Sequence, residues 1–303
     1  MPQLSAIALY SNPIMTLSAA GRQITLDPNL MQNPARKAMY IDEVRFLRVH
    51  ATYMDEAFGA YIYARLRINR QNITADYIPV WALAPSANVQ INDDVNANAY
   101  VYRPPKPIYV PQYTNLQCDL IVNPTAYGVT TSVNKGKSVF AVIYVGRQID
   151  DVNMPPPATV DVPWAAKYIS PVWLQGDLSE PAQSTANDLV NPFGEPLHVS
   201  SMISRTLYQN TDACLGGPIL IQDLITMKMS NSKAGIITRD PTPIGHIFDM
   251  FSREALMNTT LESNTYFIAT LQADMRDVSQ PGNALTSIAM HGYRTVTLAE
   301  YMS

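Results

Sequence analysis

The sequence predicts an all-β protein in which one sandwich is used twice, and three observations carry that prediction. The first is an internal echo. Leu30-Met31-Gln32-Asn33-Pro34 precedes a β-type run from Met39 to His50, and Leu189-Val190-Asn191-Pro192 precedes another from Leu197 to Tyr208. Toward the end of each half an apolar run closes on glycine and arginine, Val142 to Arg147 and Ile288 to Arg294. The offsets are 158 residues from Asn33 to Asn191 and 146 from Gly146 to Gly292, too long for a solenoid repeat and suited to a whole domain. The second observation is period-2 alternation, apolar at Ile62, Ala64, Leu66 and Ile68 and polar or aromatic between them. The third is composition: 23 prolines and 17 tyrosines against only 15% charged residues, a balance that favours strands and fixed turns over solvated helical faces.

Taken in order, residues 1–26 lack a strand pattern and read as an N-terminal arm with apolar points at Ile14, Met15 and Leu17. Residues 27–154 read as the first sandwich. Beyond Met39 to His50 and Ile62 to Ile68, its strands are expected at Tyr77 to Leu83, Ile108 to Val110, Leu116 to Val122 and Val139 to Gly146. Pro104-Pro105, Pro107, Pro111 and Asn123-Pro124 keep them short. Cys118 shares a face with Leu116 and Leu120 and reads as a small buried hydrophobe, not as one end of a disulfide to Cys214.

Residues 155–186 read as a proline-rich connector, extended and semi-rigid from Met154-Pro155-Pro156-Pro157 onward. Trp164, Tyr168, Ile169, Val172 and Trp173 make it too apolar for a free tether, so it is expected to pack against a domain or a neighbouring subunit. Residues 187–303 read as the second sandwich. Within it Thr242 suits an N-cap and Pro243 a first helical position, followed by an apolar stripe of Ile244, Ile247, Phe248, Phe251 and Ala255. A strand apolar at Phe267, Ala269, Leu271 and Ala273 follows.

The 47% hydrophobic content is ample for one large or two ordinary cores. The net charge of −4 argues against a protein that grips bare nucleic acid, because neutralising phosphates needs clustered Lys and Arg. No stretch approaches the ~18 apolar residues of a membrane span, and Met1-Pro2-Gln3 does not open a signal peptide. Synthesis in a reducing compartment is expected.

The motifs of chemistry are near misses. Gly136-Lys137-Ser138 resembles the end of a phosphate-binding loop, but the first glycine would have to stand at Thr131. Asn92, Asp94, Asn96 and Asn98 imitate a calcium loop, yet Ala97 replaces its glycine and Arg103 its glutamate, so the segment reads as a polar surface loop. His50, His198, His246 and His291 have no ligand spacing, and Asp93-Asp94 and Asp150-Asp151 read as solvated loop charge. No catalytic residue, cofactor or metal site is expected, and the chain does not read as an enzyme.

A duplicated acidic sandwich without an active site resembles the major capsid proteins built from two tandem jelly rolls, the lineage of adenovirus hexon and the coats of tailless, membrane-containing icosahedral bacteriophages. The residues that carry the resemblance are Asp188 to Leu197, its counterpart Leu30 to Pro34 leading to Met39, and the strand ends at Gly146 and Gly292. The resemblance implies two eight-stranded antiparallel jelly rolls, here with a short helix in the second. It also implies homotrimers of pseudo-hexagonal outline that tile an icosahedral shell in the virion, with penton or minor capsid proteins as further partners. An N-terminal arm reaching the lipid of an internal membrane is expected on the same ground. Trp164, Tyr168, Trp173, Phe193 and Tyr113 are the expected subunit-contact or connector anchors. A receptor- or carbohydrate-binding sandwich module is the alternative. A tandem cupin-like enzyme would need clustered histidines that the chain lacks.

Overall fold

The protein is described from a computed structural model. It describes residues 4–10, 15–16, 23–25, 37–48, 62–68, 71–84, 86–92, 95–114, 116–122, 139–149, 154–174, 184–210, 225–231, 235–236, 240, 242–248, 254–273 and 282–303. Contacts divide the chain into two compact units, residues 1–165 with 291–303, and residues 166–290.

Among the described residues twelve strands precede residue 150: β1 (Leu4–Tyr10), β2 (Met15–Thr16), β3 (Gln23–Thr25), β4 (Met39–Arg48), β5 (Ile62–Ile68), β6 (Gln71–Asn72), β7 (Ile78–Pro79), β8 (Ser86–Asn92), β9 (Val95–Tyr102), β10 (Ile108–Val110), β11 (Leu116–Val122) and β12 (Val139–Ile149). One sheet runs β1-β12-β4-β9-β8, with β10 also on β4 and β2 on β12. The other runs β3-β11-β5-β6, with β7 also on β5. Counting β1/β2, β6/β7 and β9/β10 each as one broken strand, and β8 as an added edge strand hairpinned to β9, the sheets read 1-8-3-6 and 2-7-4-5 in chain order, the arrangement of a jelly roll.

The second set repeats it. Its strands are β13 (Thr159–Leu174), β14 (Ser184–Val190), β15 (Leu197–Asn210), β16 (Ile225–Asn231), β17 (Gly235–Ile236), β18 (Thr242–Pro243), β19 (Glu254–Leu261), β20 (Tyr266–Ala273) and β21 (Gly282–Thr297). The sheets β13-β21-β15-β19 and β14-β20-β16-β17, with β18 on β16, again read 1-8-3-6 and 2-7-4-5. The fold is two tandem antiparallel jelly rolls. The long β13 and β21 contribute to both units, 159–165 and 291–297 to the first and their other halves to the second.

The expected alternation builds the cores. On β5, Ile62, Ala64, Leu66 and Ile68 are buried while Arg65 and Arg67 lie on the other face. On β11, Leu116, Cys118 and Leu120 are buried, and Cys118 shares a hydrogen bond with the buried Tyr144 of the opposite sheet. Burial pushes that thiol far above its ordinary range, so it behaves as a hydrophobe. In the second unit Met227 and Met229 of β16 meet the same core as Phe267, Ala269 and Leu271 of β20.

Along β4 the buried set changes phase, from Met39 and Ile41 to Val44 and Phe46. The cause is a bulge. Opposite β12, Gly146 pairs Ile41 and Val145 pairs Glu43, leaving Asp42 as the extra residue. Gly146 is required there because a Cβ would collide with the carbonyl oxygen of Tyr40 and lie 2.8 Å from the Ile41 Cα. Both glycines expected at strand ends therefore lie within strands, Gly146 in β12 and Gly292 in β21.

Several boundaries differ from those the sequence suggested. Leu4–Tyr10, expected in an arm, is a strand paired along its whole length with β12, from Leu4 opposite Ile149 to Tyr10 opposite Ile143. Thr159–Leu174, expected as connector, is the first strand of the second jelly roll. It tolerates Pro163 because it is the terminal strand of its sheet among the described residues, where one edge needs no N–H. The stretch 92–98, expected as a loop, belongs to the hairpin of β8 and β9 apart from residues 93 and 94, which lie outside the described residues. Tyr77 to Leu83 is a two-residue strand followed by one helical turn, α1 (Val80–Leu83).

The expected helix from Thr242 shrinks to α2 (Ile244–Ile247). Thr242 and Pro243 pair with β16, and Ala255 lies on β19. A helix not foreseen, α3 (Leu298–Met302), ends the chain, capped by the Thr297 hydroxyl accepting from the Glu300 N–H. Its Tyr301 is buried and donates to the Tyr109 carbonyl at 2.6 Å.

Candidate functional site

Of the five expected anchors, the three whose side chains are described stand on separate elements. Trp164 is buried within β13. Tyr168 and Trp173 lie on the same strand, and their side chains fall outside the described residues. Phe193 is half-buried in the turn between β14 and β15. Tyr113 is 75% exposed, in the Pro111–Thr114 turn, with φ of 60°. A non-glycine residue in that left-handed region costs about 1 kcal/mol or more, so the fold holds this exposed ring at a conformational expense.

The turn that carries Phe193 is locked from inside. Asn191 is fully buried. Its amide NH2 donates to the carbonyls of Glu195 at 3.0 Å, Leu261 at 2.9 Å and Glu262 at 3.2 Å, and its Oδ1 accepts from the Phe193 N–H at 2.9 Å. One side chain thus ties the β14–β15 turn to the β19–β20 turn and presents Pro192 and Pro196 at the surface. The Asn-Pro echo in the sequence marks this lock. Its first-half counterpart, Asn33-Pro34, lies outside the described residues.

Several described titratable groups of the first unit are engaged in structure. Asp119 is buried on the outer face of β11, where it accepts from Arg65 at 2.9 Å, Arg67 at 2.7 Å and Gln117 at 3.1 Å. Arg65 also lies 4.6 Å over the Tyr77 ring. His291 is buried, with Nε2 donating to the Ala82 carbonyl at 3.3 Å. Desolvation outweighs that bond and lowers its pKa to about 4, so the ring is neutral at pH 7. His198 is half-buried on β15 and His246 exposed on α2; His50, Gly136–Ser138 and Asp150-Asp151 lie outside the described residues. Among the described residues no three His, Cys, Asp or Glu side chains come together as metal ligands.

Among the described residues of the first unit lies a cleft of about 310 Å³. Tyr40 and Tyr109, cross-strand partners on β4 and β10, set their rings 5.3 Å apart on one wall, and Pro107 and Pro157 add flat apolar surface. Lys106 and Arg147 bring positive charge. Arg147 is held by Asp42, the bulge residue, through two bonds of 2.9 and 2.8 Å. Lys106 lies 4.9 Å over the Tyr293 ring and 3.8 Å from Asp161. The remaining wall is three consecutive residues of β13, Thr159, Val160 and Asp161. Sequence reading missed this cleft because its residues come from four separate segments, and the strand forming one wall was read as a connector.

No protein-family model matches the chain, and no curated protein matches it by sequence. Among solved structures it is similar to PBCV-1 VP54, as fitted into a cryo-EM reconstruction of the virophage Sputnik, at 9% identity and a TM-score of 0.49, covering 97% of this chain and 94% of that one. It is also similar to the Faustovirus major capsid protein, at 7% identity and a TM-score of 0.42, covering 98% and 91%. The mavirus major capsid protein follows at 7% identity and a TM-score of 0.41, covering 95% and 90%. At such identities and TM-scores the likeness carries no weight of its own; the strand order establishes the double jelly roll.

Proposed function

We propose that this chain is a structural virion protein, the major capsid protein of a tailless icosahedral bacteriophage with an internal membrane. It forms pseudo-hexameric homotrimers that tile the shell and meet neighbouring trimers and penton or minor capsid proteins. It is made in the host cytoplasm, acts in the virion, needs no cofactor, performs no catalysis and reads no nucleic-acid sequence. The observation that carries this reading is the duplication: one chain repeats the same 1-8-3-6 and 2-7-4-5 sheets, giving each monomer two similar bodies and a trimer six. The lipid contact expected of an N-terminal arm is not assigned to Leu4–Tyr10 or Met15–Thr16, whose backbones are paired with β12.

Tyr113 and Phe193 are the anchors this reading keeps, one a strained exposed ring and the other on a turn locked by Asn191. The test is native mass by light scattering across a wide concentration range. A species of three times 33.6 kDa with a six-lobed outline in negative stain is expected. A chain that stays monomeric at every concentration and forms no particles overturns the proposal.

A further inference from the structure

We infer that the cleft between Tyr40, Tyr109 and the start of β13 binds an extended peptide segment of another protein, one that carries a proline or aromatic anchor beside a carboxylate. Four features define that ligand. The first is size: at about 310 Å³ the cleft is at the lower end of ligand pockets and suits one large side chain with its backbone. The second is the surface. The half-buried Tyr40 ring, backed by the buried Tyr109, forms with Pro107 and Pro157 a flat, rigid apolar face, the kind on which proline and aromatic rings stack at little entropic cost.

The third feature is the wall made by Thr159, Val160 and Asp161. Successive strand residues point to opposite faces, so three in a row line a cleft only if the strand's backbone edge borders it. Among the described residues β13 is the terminal strand of its sheet, and its pairing across the outer edge is an isolated bridge at Ala165. A segment laid along Thr159–Asp161 can therefore add as a strand.

The fourth is charge. Arg147 is bound bidentately to Asp42, and Asp161 already accepts from the Thr295 hydroxyl at 2.6 Å. Lys106 is different. Its side chain is 41% exposed, and its ammonium has three donors and meets Asp161 only at 3.8 Å while resting on the Tyr293 ring. An incoming carboxylate completes its coordination and gives the site its preference for acidic segments.

The inference does not depend on assembly, because binding is read on the isolated chain. The probes are capped octapeptides with a central Asp-Pro-Tyr or Glu-Pro-Phe, against versions with lysine in place of the acid, titrated by isothermal calorimetry and amide NMR shifts. The acidic peptides are expected to bind at least tenfold more tightly than the lysine versions, to weaken with added salt, and to shift the amides of Thr159–Asp161. Lys106→Glu is expected to abolish that preference, and Lys106→Ala to reduce it while the amide spectrum otherwise stays native. No saturable binding at millimolar peptide, binding indifferent to both Lys106 variants, or occupancy of the cleft by free oligosaccharides instead of peptides overturns the inference.

Discussion

Gly146 and Asp42 form a pair in which one residue makes room and the other uses it. The bulge on β4 shifts the inward phase from Ile41 to Val44 and frees Asp42 to clamp Arg147, and only glycine lets the Tyr40 carbonyl approach so closely. Gly146→Ala is expected to lower stability by about 2 kcal/mol through enforced backbone displacement, read as a reduced urea midpoint with unchanged slope. His291 makes a pH-dependent contribution. Its folded pKa near 4 lies below its ordinary 6.5, so between those values the unfolded chain binds the extra proton. The stability of the neutral ring is fully present above about pH 6.5, is reduced by about 2 kcal/mol at pH 5, and is lost near pH 4. Urea midpoints from pH 7.5 to 5 should fall for the native chain, and fall less for His291→Gln.

Among the elements, the turns and the terminal helix hold strands together. Asn191 satisfies three carbonyls and one N–H from two different turns. Asn191→Ala is expected to cost about 2–3 kcal/mol, because those groups lose buried partners. Asn191→Asp should be worse at pH 7, since a carboxylate would face three carbonyl oxygens, and should recover partly on acidification. Paired denaturation curves at pH 7 and pH 4 check the order. Helix α3 adds the buried Tyr301 hydroxyl bond to Tyr109, while its Glu300 carbonyl accepts from Gln71 at 3.2 Å. Removing residues 298–303 is expected to expose the Tyr109 side of β10 and lower the thermal midpoint by several degrees in calorimetry.

For the whole molecule, the duplicated jelly roll places the functional question at its surface. Tyr113 gives that question a sharp test, because fold and assembly are expected to respond in opposite directions. Tyr113→Gly relieves the left-handed strain and should leave the isolated chain as stable or slightly more so, by about 1 kcal/mol or less after the entropy of glycine is counted. The same change should weaken trimer formation, visible as a trimer–monomer midpoint moved to higher protein concentration. Unchanged self-association would remove Tyr113 from the contact.

Where a strand carries its own alternation, as at Ile62–Ile68 or Tyr266–Ala273, the sequence by itself determined both the element and its buried face, because period-2 burial is written in the residues that make it. The tandem organisation was equally legible, through the Asn-Pro echo that Asn191 turns into a lock between turns. What only the tertiary structure decided concerns residues whose role comes from a partner. Leu4–Tyr10 and Thr159–Leu174 have no pattern that separates them from an arm or a connector; one is a strand because β12 pairs with it, the other because β21 does. The cleft belongs to the same class. Tyr40, Lys106 and Val160 are distant along the chain, and their meeting follows from strand order and a bulge, neither of which local sequence encodes.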